Sequence, residues 1–470
     1  MKIKRGGYFL LCSLLIVFVS SPIFAKAPLT LEEAIKQALK KNSQFLKAES
    51  ALDTAKLNFE LAKKSFYSPQ VNLNLIPFQE SYYPESDVLN SRADVGAGMT
   101  VKLPIGPRLS VNYQGGYDYE KGRYNDSYSA EVSYPLFKDP KLTAEALNIH
   151  NNEVSLEKAE LNLNQSTKEV KINTINNFLS LLESEDSLKC LQERIKLNKE
   201  ELEKIREKKE ENLSGELNLL TIEVSLAENE KTLQNFQNKF SLDKMSFLHF
   251  LGLSDKDISL VIPLIKEEDL KERVQEILNE KISEEVIMAG DEIKKAMWEV
   301  EKMQLQLKKS YQDLQPDLSL GIGYNSEGDS PADEKWKLSL TINWTLFDVE
   351  TIELEEKIAQ NVLEDAQREL REVIKSREES IISKRNALRD GLDEVKIYKL
   401  KQKKIKIEEK LINEQFGLGT KTQEELENFK ITKMEFEGDY RGTIHNLLIS
   451  YLQYRKILGL ELNIDEVIAK

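Results

Sequence analysis

The chain runs to 470 residues, of which 31% are charged and 8% aromatic, with only 20 glycines and 12 prolines. That balance suits long solvated helices better than a compact globule, whose charged share is nearer about a quarter. A formal net charge of −14 argues against a nucleic-acid partner, which needs a basic face.

Lys2, Lys4 and Arg5 precede an apolar run from Tyr8 to Val19, and small residues follow at Ala25 and Ala27. This is the layout of a cleaved export signal, assigned to residues 1–25, with cleavage after Ala25 or after Ala27. The run is short for a membrane span of about 20 residues. Cys12 lies inside it behind the bulky Leu11, which does not suit lipoprotein processing. Cys190 is then the single cysteine of the exported chain, so no intramolecular disulfide forms. No later apolar run is long enough to cross a bilayer as a helix, so any membrane contact must be made by strands.

Thr30-Leu31-Glu32-Glu33 is a capping box that opens a helix through Leu39. A second helix ends at Lys63-Lys64-Ser65-Phe66-Tyr67, before Pro69. Alternation then takes over. Val71, Leu73 and Leu75 alternate with Asn72 and Asn74, and Ala93 to Ile105, Leu109 to Tyr113 and Tyr128 to Tyr134 keep the same period. A period of two over strands of about ten residues is the signature of a membrane barrel wall. The other reading is a water-facing sheet covering a soluble core. Pro104 to Arg108 is a tight turn, whereas Phe78 to Arg92 and Glu120 to Ser127 read as longer polar loops.

From Leu142 to Glu211 the pattern is one long helix, broken at Asn212-Leu213-Ser214-Gly215, with a return helix from Glu216 to Leu251. Ser254 to Asp269 is a linker, and Leu270 to Leu278 repeats the first short helix. The phrase Lys308-Lys309-Ser310-Tyr311, before Pro316, repeats the end of the second. Strands return at Leu318 to Tyr324 and Trp336 to Leu346. Tyr113, Tyr128, Tyr134, Trp336 and Trp344 stand near strand ends, where membrane-interface aromatics belong. A second long helix spans Thr351 to about Gln415. In it Leu354, Ile358, Val362, Ala366, Leu370 and Ile374 step by four, and Ile381, Leu388 and Val395 continue by seven, a narrow coiled-coil seam. About 65 helical residues at ~1.5 Å each reach about 100 Å. The helix breaks at Phe416-Gly417-Leu418-Gly419-Thr420 and returns from Gln423 to Leu458.

The two hairpins are copies. His249-Phe250-Leu251-Gly252-Leu253 answers Lys456-Ile457-Leu458-Gly459-Leu460 at an offset of 207, which also matches Leu219 with Leu426, Ile222 with Phe429, Phe240 with Leu447 and Phe247 with Tyr454. Pro135-Leu136-Phe137 and Thr345-Leu346-Phe347 introduce them. The organisation is a first repeat over 26–253 (strands about 70–137, hairpin 138–253), a linker and short helix over 254–282, and a second repeat over 283–470 (strands about 317–347, hairpin 348–460, short tail). Six strands cannot close a lipid-spanning barrel, for which about eight is the minimum, so the chain must oligomerise.

No catalytic constellation is present. His150, His249 and His445 are scattered on helices without metal-ligand spacing. Gly321-Ile322-Gly323 and Gly417-Leu418-Gly419 are not phosphate loops. No enzyme activity, metal or cofactor is expected.

Taken together, the Leu29-Thr30-Leu31-Glu32-Glu33-Ala34 opening, the paired Leu-Phe phrases, the Gly-Leu-Gly-Thr tip and the closing Leu-Gly-Leu of both repeats resemble the TolC family of outer-membrane efflux proteins, over essentially the whole exported chain. The resemblance implies an α+β membrane protein built from two tandem structural repeats. A homotrimer would form a transmembrane β-barrel in outer-membrane lipid, continuous with a long periplasmic α-helical barrel. Such a protein is the exit duct of a tripartite efflux or type I secretion system, fed by an inner-membrane pump of the RND or ABC type through a periplasmic adaptor.

In the family, acids six and nine positions after the second tip's glycine ring the periplasmic gate. Here those positions are Glu425 and Asn428, so one acidic ring is implied, supplemented by Glu424, with Lys421 at the basic position that holds the tip closed. The plain alternative is that Glu424 and Glu425 are first-turn acids, favoured at a helix N-terminus, and Lys421 an exposed loop lysine. The adaptor-docking tips would be Leu213, Ser214 and Gly215 with Gly417, Leu418, Gly419 and Thr420. One feature departs from the family: 67 positions separate Pro69 from Leu136 but 30 separate Pro316 from Leu346. The excess holds an additional hairpin, roughly Ala93 to Tyr119. It lies either in the wall, giving eighteen strands instead of the family's twelve, or outside it. A competing function is a structural periplasmic coiled-coil protein tethering the envelope. The cargo is not legible.

Overall fold

The computed structural model describes residues 28–83, 88–103, 106–208, 213–253, 258–313, 315–327, 334–343 and 349–468. The signal segment 1–25, Trp344 and the Leu346-Phe347 phrase lie outside the described residues.

The chain opens with strand β1 (Pro28–Leu29) and helices α1 (Leu31–Lys41) and α2 (Ser43–Tyr67). Thr30 caps α1 as expected, its side chain accepting from Glu33 N while Glu33 accepts from Thr30 N. Asn42 caps α2 and also donates to Phe250 O at 3.0 Å, tying the break between the helices to the end of the first hairpin. Four strands follow: β2 (Gln70–Tyr83), β3 (Val88–Lys102), β4 (Arg108–Asp118) and β5 (Arg123–Pro135). Next come α3 (Ala144–Lys208) and α4 (Leu213–Phe250), then β6 (Ser259–Leu260), α5 (Glu267–Asn279), α6 (Glu284–Met288) and α7 (Asp291–Asp313). Strands β7 (Asp317–Glu327) and β8 (Glu334–Asn343) lead into α8 (Val349–Gly417), α9 (Gln423–Ile457) and α10 (Ile464–Val467). Each half thus runs short helices, long strands, a long helix and a return helix, with four long strands in the first and two in the second.

The six long strands form one antiparallel sheet in the order β2-β3-β4-β5-β7-β8. The pairings Leu73↔Ala97, Ala97↔Tyr113, Tyr113↔Tyr128, Ala130↔Tyr324 and Tyr324↔Trp336 carry one face across the whole sheet. Side chains alternate along each strand, so Leu73, Met99, Val111, Val132, Ile322 and Leu338 share that face, while Asn74, Thr100, Asn112, Glu131, Gly321 and Lys337 share the other. Among the described residues no element covers the apolar face: Leu338 is 74% exposed there. A soluble sheet would bury it, so the sheet-over-core reading fails.

The expected long loops are a correction. Strand β2 runs to Tyr83 and β5 begins at Arg123, so the β4–β5 connection is only 119–122, with Asp118 accepting from Glu120 N and Lys121 N and Gly122 at φ +59°. Polar residues on both faces of 123–127 look like a loop in sequence; here they continue the strand beyond its apolar part.

Helices α3 and α8 have 65 and 69 residues, rods of about 100 Å at ~1.5 Å per residue. In the distal half they form one layer in the order α4-α3-α9-α8; nearer the sheet, α2 lies on α3 and α7 on α8. Both return helices end alike. Gly252 and Gly459 stand at φ +65° and +77°, and the following leucines donate back to Leu248 O and Arg455 O. This Schellman closure is the physical content of the repeated Leu-Gly-Leu.

The apolar core is a belt at mid-height. Leu31, Ala34 and Ala38 of α1, Leu270 and Val274 of α5, and Val467 and Ile468 at the C-terminus wrap the buried faces of α3, α8 and α9. β1 and β6 pair in parallel across it, Leu29 with Leu260. Glu267 on α5 accepts from Tyr440 Oη at 2.7 Å and faces Lys399 at 3.2 Å and Lys271, joining the linker helix to α8 and α9. Burial pushes the Glu267 carboxyl up, but donors from Lys271, Tyr440 and Lys399 outweigh it and hold it below the usual carboxylate range. A depressed carboxyl stabilises the belt above its ordinary pKa, and that contribution is lost as pH falls through the lowered value. Glu267→Gln is expected to loosen α5 by about 1–2 kcal/mol at neutral pH, the order for hydrogen bonds to a charged group, and to flatten its acid sensitivity. Hydrogen exchange across 267–279 at pH 7 and at pH 4 checks both.

Candidate functional site

The second tip is fully described. Helix α8 closes on Gly419 at φ +72°, with Gly419 N donating to Phe416 O and Thr420 N to Gln415 O, the same Schellman geometry as at the hairpin bases. That fold-back leaves Leu418 projecting into solvent. Thr422 then caps α9: its hydroxyl accepts from Glu425 N at 3.2 Å, and Glu425 Oε2 accepts from Thr422 N at 2.9 Å. Lys421 pairs with the other carboxylate oxygen of Glu425. Hydrogen bonding from Lys421, then from the Thr422 backbone, holds the Glu425 carboxyl below the usual range. The residues singled out as gate and latch are thus joined in one capping unit within a single helix turn, and Glu425 carries a first-turn structural role as well.

Glu424, one residue earlier, points at the other hairpin. It meets Glu201 of α3, whose carboxyl is raised by burial and by the negative charge and hydrogen bonding of Glu424. Two acids therefore face each other where the hairpins touch near their tips. Glu201 was not legible in the sequence, being one of many acids on a charged helix; only α3–α9 packing singles it out. Asn428 lies one turn further on and is exposed.

At the first tip the helix restarts at Leu213. Leu213, Ser214 and Gly215 are therefore helical, in the first turn of α4, a correction to the break expected at 212–215, of which Asn212 lies outside the described residues. Serine and glycine are as acceptable at a helix start as in a turn, so composition alone does not separate the two.

The edges of the helical layer are unequal in a way that the repeat makes readable. Helix α9 packs against both α8 and α3, with Arg194–Glu435 at 2.5 Å, Arg441–Asp186 at 2.8 Å and His445 Nδ1–Glu183 at 2.7 Å along the α3 side. Its counterpart α4 packs along α3 at the edge of the layer. At equivalent positions Ile431 is 6% exposed but Val224 is 51%, and Leu452 is 0% exposed but Met245 is 48%. The α4 face is patterned for a second long helix that the single chain does not supply. At the opposite edge, α8 leaves Ile397, Leu400, Ile407 and Leu411 exposed. The sheet has matching open edges at β2 and β8.

The interface aromatics need re-placing. Tyr113 and Tyr128 fall at mid-strand, directly opposite each other, because their strands continue past them. They mark the rim of the apolar band instead. Tyr113 and Tyr128 rings are 5.0 Å apart and Tyr324 and Trp336 rings 5.1 Å apart, all on the apolar face, the second pair two positions along the strands from the first. Tyr134 lies toward the other end of the band. From Trp336 to Ile342 the apolar alternation of β8 covers seven residues, about 23 Å along the strand at ~3.3 Å per residue.

Among the described residues no group of His, Cys, Asp and Glu is arranged to hold a metal ion. No helix among them is long and apolar enough to cross a membrane.

No family model matches the sequence, and no curated protein matches it. Solved structures do. The open-state MtrE outer membrane channel of Neisseria gonorrhoeae matches with a TM-score of 0.65 at 11% identity, covering 92% of this chain and 89% of that one. The CmeC outer membrane channel of Campylobacter jejuni matches at 0.62 and 13%, over 93% and 87%. The outer membrane protein VceC of Vibrio cholerae matches at 0.60 and 12%, over 92% and 97%. At these identities the likeness establishes architecture: the chain has the fold of the outer-membrane channels of the TolC family.

Proposed function

We propose that the chain is the outer-membrane exit duct of a tripartite efflux or type I secretion system. Three copies join head to tail, α8 of one against α4 of the next and β8 against β2. The carrying observation is the mismatch between repeat-equivalent faces: what α9 buries against α3, α4 leaves open. A heterologous contact of this kind makes a ring when its rotation closes, and two hairpins per chain give that ring pseudo-sixfold symmetry. The sheet then forms a barrel with its apolar face in lipid, between interfacial aromatics including Tyr113, Tyr128 and Trp336. Strands of 10–15 residues meet the about 9–11 that a tilted transmembrane strand needs. A coiled-coil tether would leave that face without a role.

The helical tips form the periplasmic gate. Three Glu425 carboxylates around the axis favour cations, and each is partly offset by its own Lys421. Facing acids at Glu201 and Glu424 set the hairpins of one chain against each other, so ionising both favours separation. Exposed Leu418, with Gly417, Gly419 and Thr420, gives a periplasmic adaptor an apolar knob on a small-residue turn, and Leu213 to Gly215 border the other tip. An inner-membrane pump supplies the cargo. Fractionation tests the reading: an oligomer in the outer membrane is expected, and a soluble periplasmic monomer would overturn it.

A further inference from the structure

We propose that the hairpin β3–β4 is part of the barrel wall, so that the outlet of this duct is an eighteen-stranded pore. The inference rests on the exit-duct reading and adds the size of the outlet. Strands β3 and β4 are not appended to the sheet; they separate β2 from β5. Strand β3 pairs with β2 from Gln70↔Thr100 to Tyr83↔Val88, and β4 with β5 from Arg108↔Ser133 to Asp118↔Arg123. A hairpin outside the wall would require β2 to pair with β5 directly, whereas here β3 and β4 take up both of those ladders. The apolar face also runs through the hairpin without a break, from Leu73 across Ala97 and Tyr113 to Tyr128.

Six strands per chain is an even number, so β8 of one copy meets β2 of the next antiparallel, as closure requires. Three copies then give eighteen strands. Barrel diameter grows roughly linearly with strand number, so the outlet is about half again as wide as twelve similarly tilted strands would make it, in the range that leaves an aqueous channel. The helical layer gains nothing, because the hairpin adds no helix.

The hairpin's inner face is built to keep that width. Gly96, Gly98, Thr100, Asn112, Gln114 and Gly116 face the lumen. A Cβ at Gly98 would come within 2.8 Å of Asn112 Oδ1, and one at Gly116 within 2.6 Å of Arg92 Nη2, so the glycines let neighbouring polar side chains lie flat along the wall. The inner face of the hairpin therefore does not narrow the outlet that its strands widen.

Electron microscopy of the full-length protein in detergent should show a threefold ring with eighteen strands. A threefold ring with twelve strands and the hairpin outside overturns this inference and leaves the exit-duct reading intact; no ring at all overturns both. A second arm removes residues 88–118, which joins the top of β2 to the top of β5 by a short loop, a clean hairpin in this topology. Neutral polymers added from the outlet side of a bilayer should be excluded at a diameter about one third smaller in that variant. An unchanged cut-off in an assembled variant overturns the proposal. Should the variant fail to assemble, the strand count of the full-length protein decides alone.

Discussion

Leu340→Arg will remove the protein from the outer membrane, whereas Thr341→Arg, one residue along the same strand, will leave it there. Leu340 pairs with Leu320 on the uncovered apolar face, and Thr341 pairs with Ser319 on the polar face. Both positions are solvent-exposed in the single chain, so neither change disturbs a packed core. In the proposed barrel the first side chain meets acyl chains and the second meets water. An arginine near the bilayer midplane costs about 2–4 kcal/mol per site. Three copies raise that to roughly 6–12 kcal/mol per assembly, enough to abolish insertion. The same step of one residue costs nothing if the sheet lies in water, so equal recovery of both variants in the outer-membrane fraction would refute a lipid-facing wall.

The second large effect is expected at Met245. Its repeat equivalent, Leu452, is fully buried on α9, the helix between α3 and α8, while Met245 is half exposed on α4. Met245→Asp should therefore leave the fold of a single chain unchanged, read as unaltered helical circular dichroism, and abolish the oligomer on size exclusion. An unpaired carboxylate taken into a helix–helix seam costs several kcal/mol in each of three interfaces. Met245→Leu should assemble normally. A stable trimer of the Met245→Asp variant would show that α4 does not meet α8 of a neighbour. The contrast with Leu452→Ala is instructive: that change opens a cavity inside the chain, costing about 2–5 kcal/mol whether or not the oligomer forms.

Much of this architecture is legible in the sequence because it rests on repetition and period. The duplication at an offset of 207, the Thr30 capping box and the period-two strands each depend on local rules, and each stands where those rules put it. Elements governed by what lies around the chain were harder to place. Residues 123–127 are polar because both their faces meet water above the apolar band, and polarity on both faces reads as a loop. Tyr113 and Tyr128 mark the edge of that band, which need not be the end of a strand. Leu213 to Gly215 read as a break but are helical, because serine and glycine serve a helix start and a turn equally well. Glu425 matches the implied gate position, yet its pairing with Thr422 and Lys421 was only partly visible as a first-turn acid. Glu201 had no signal of its own, since its meaning comes from Glu424 on another helix. The open edge of α4 was available in principle: Val224 and Met245 are apolar where Ile431 and Leu452 are, and a repeat that patterns both faces identically expects both to be covered.

A conduit conducts, and that is the most direct test. Purified full-length protein reconstituted in planar bilayers should give discrete, small, cation-preferring conductance steps. Their cation preference should fall in Glu425→Gln, and should weaken in the native protein as acid pH protonates that low-lying carboxyl. Protein that is demonstrably inserted and oligomeric yet leaves the bilayer electrically sealed would contradict the account.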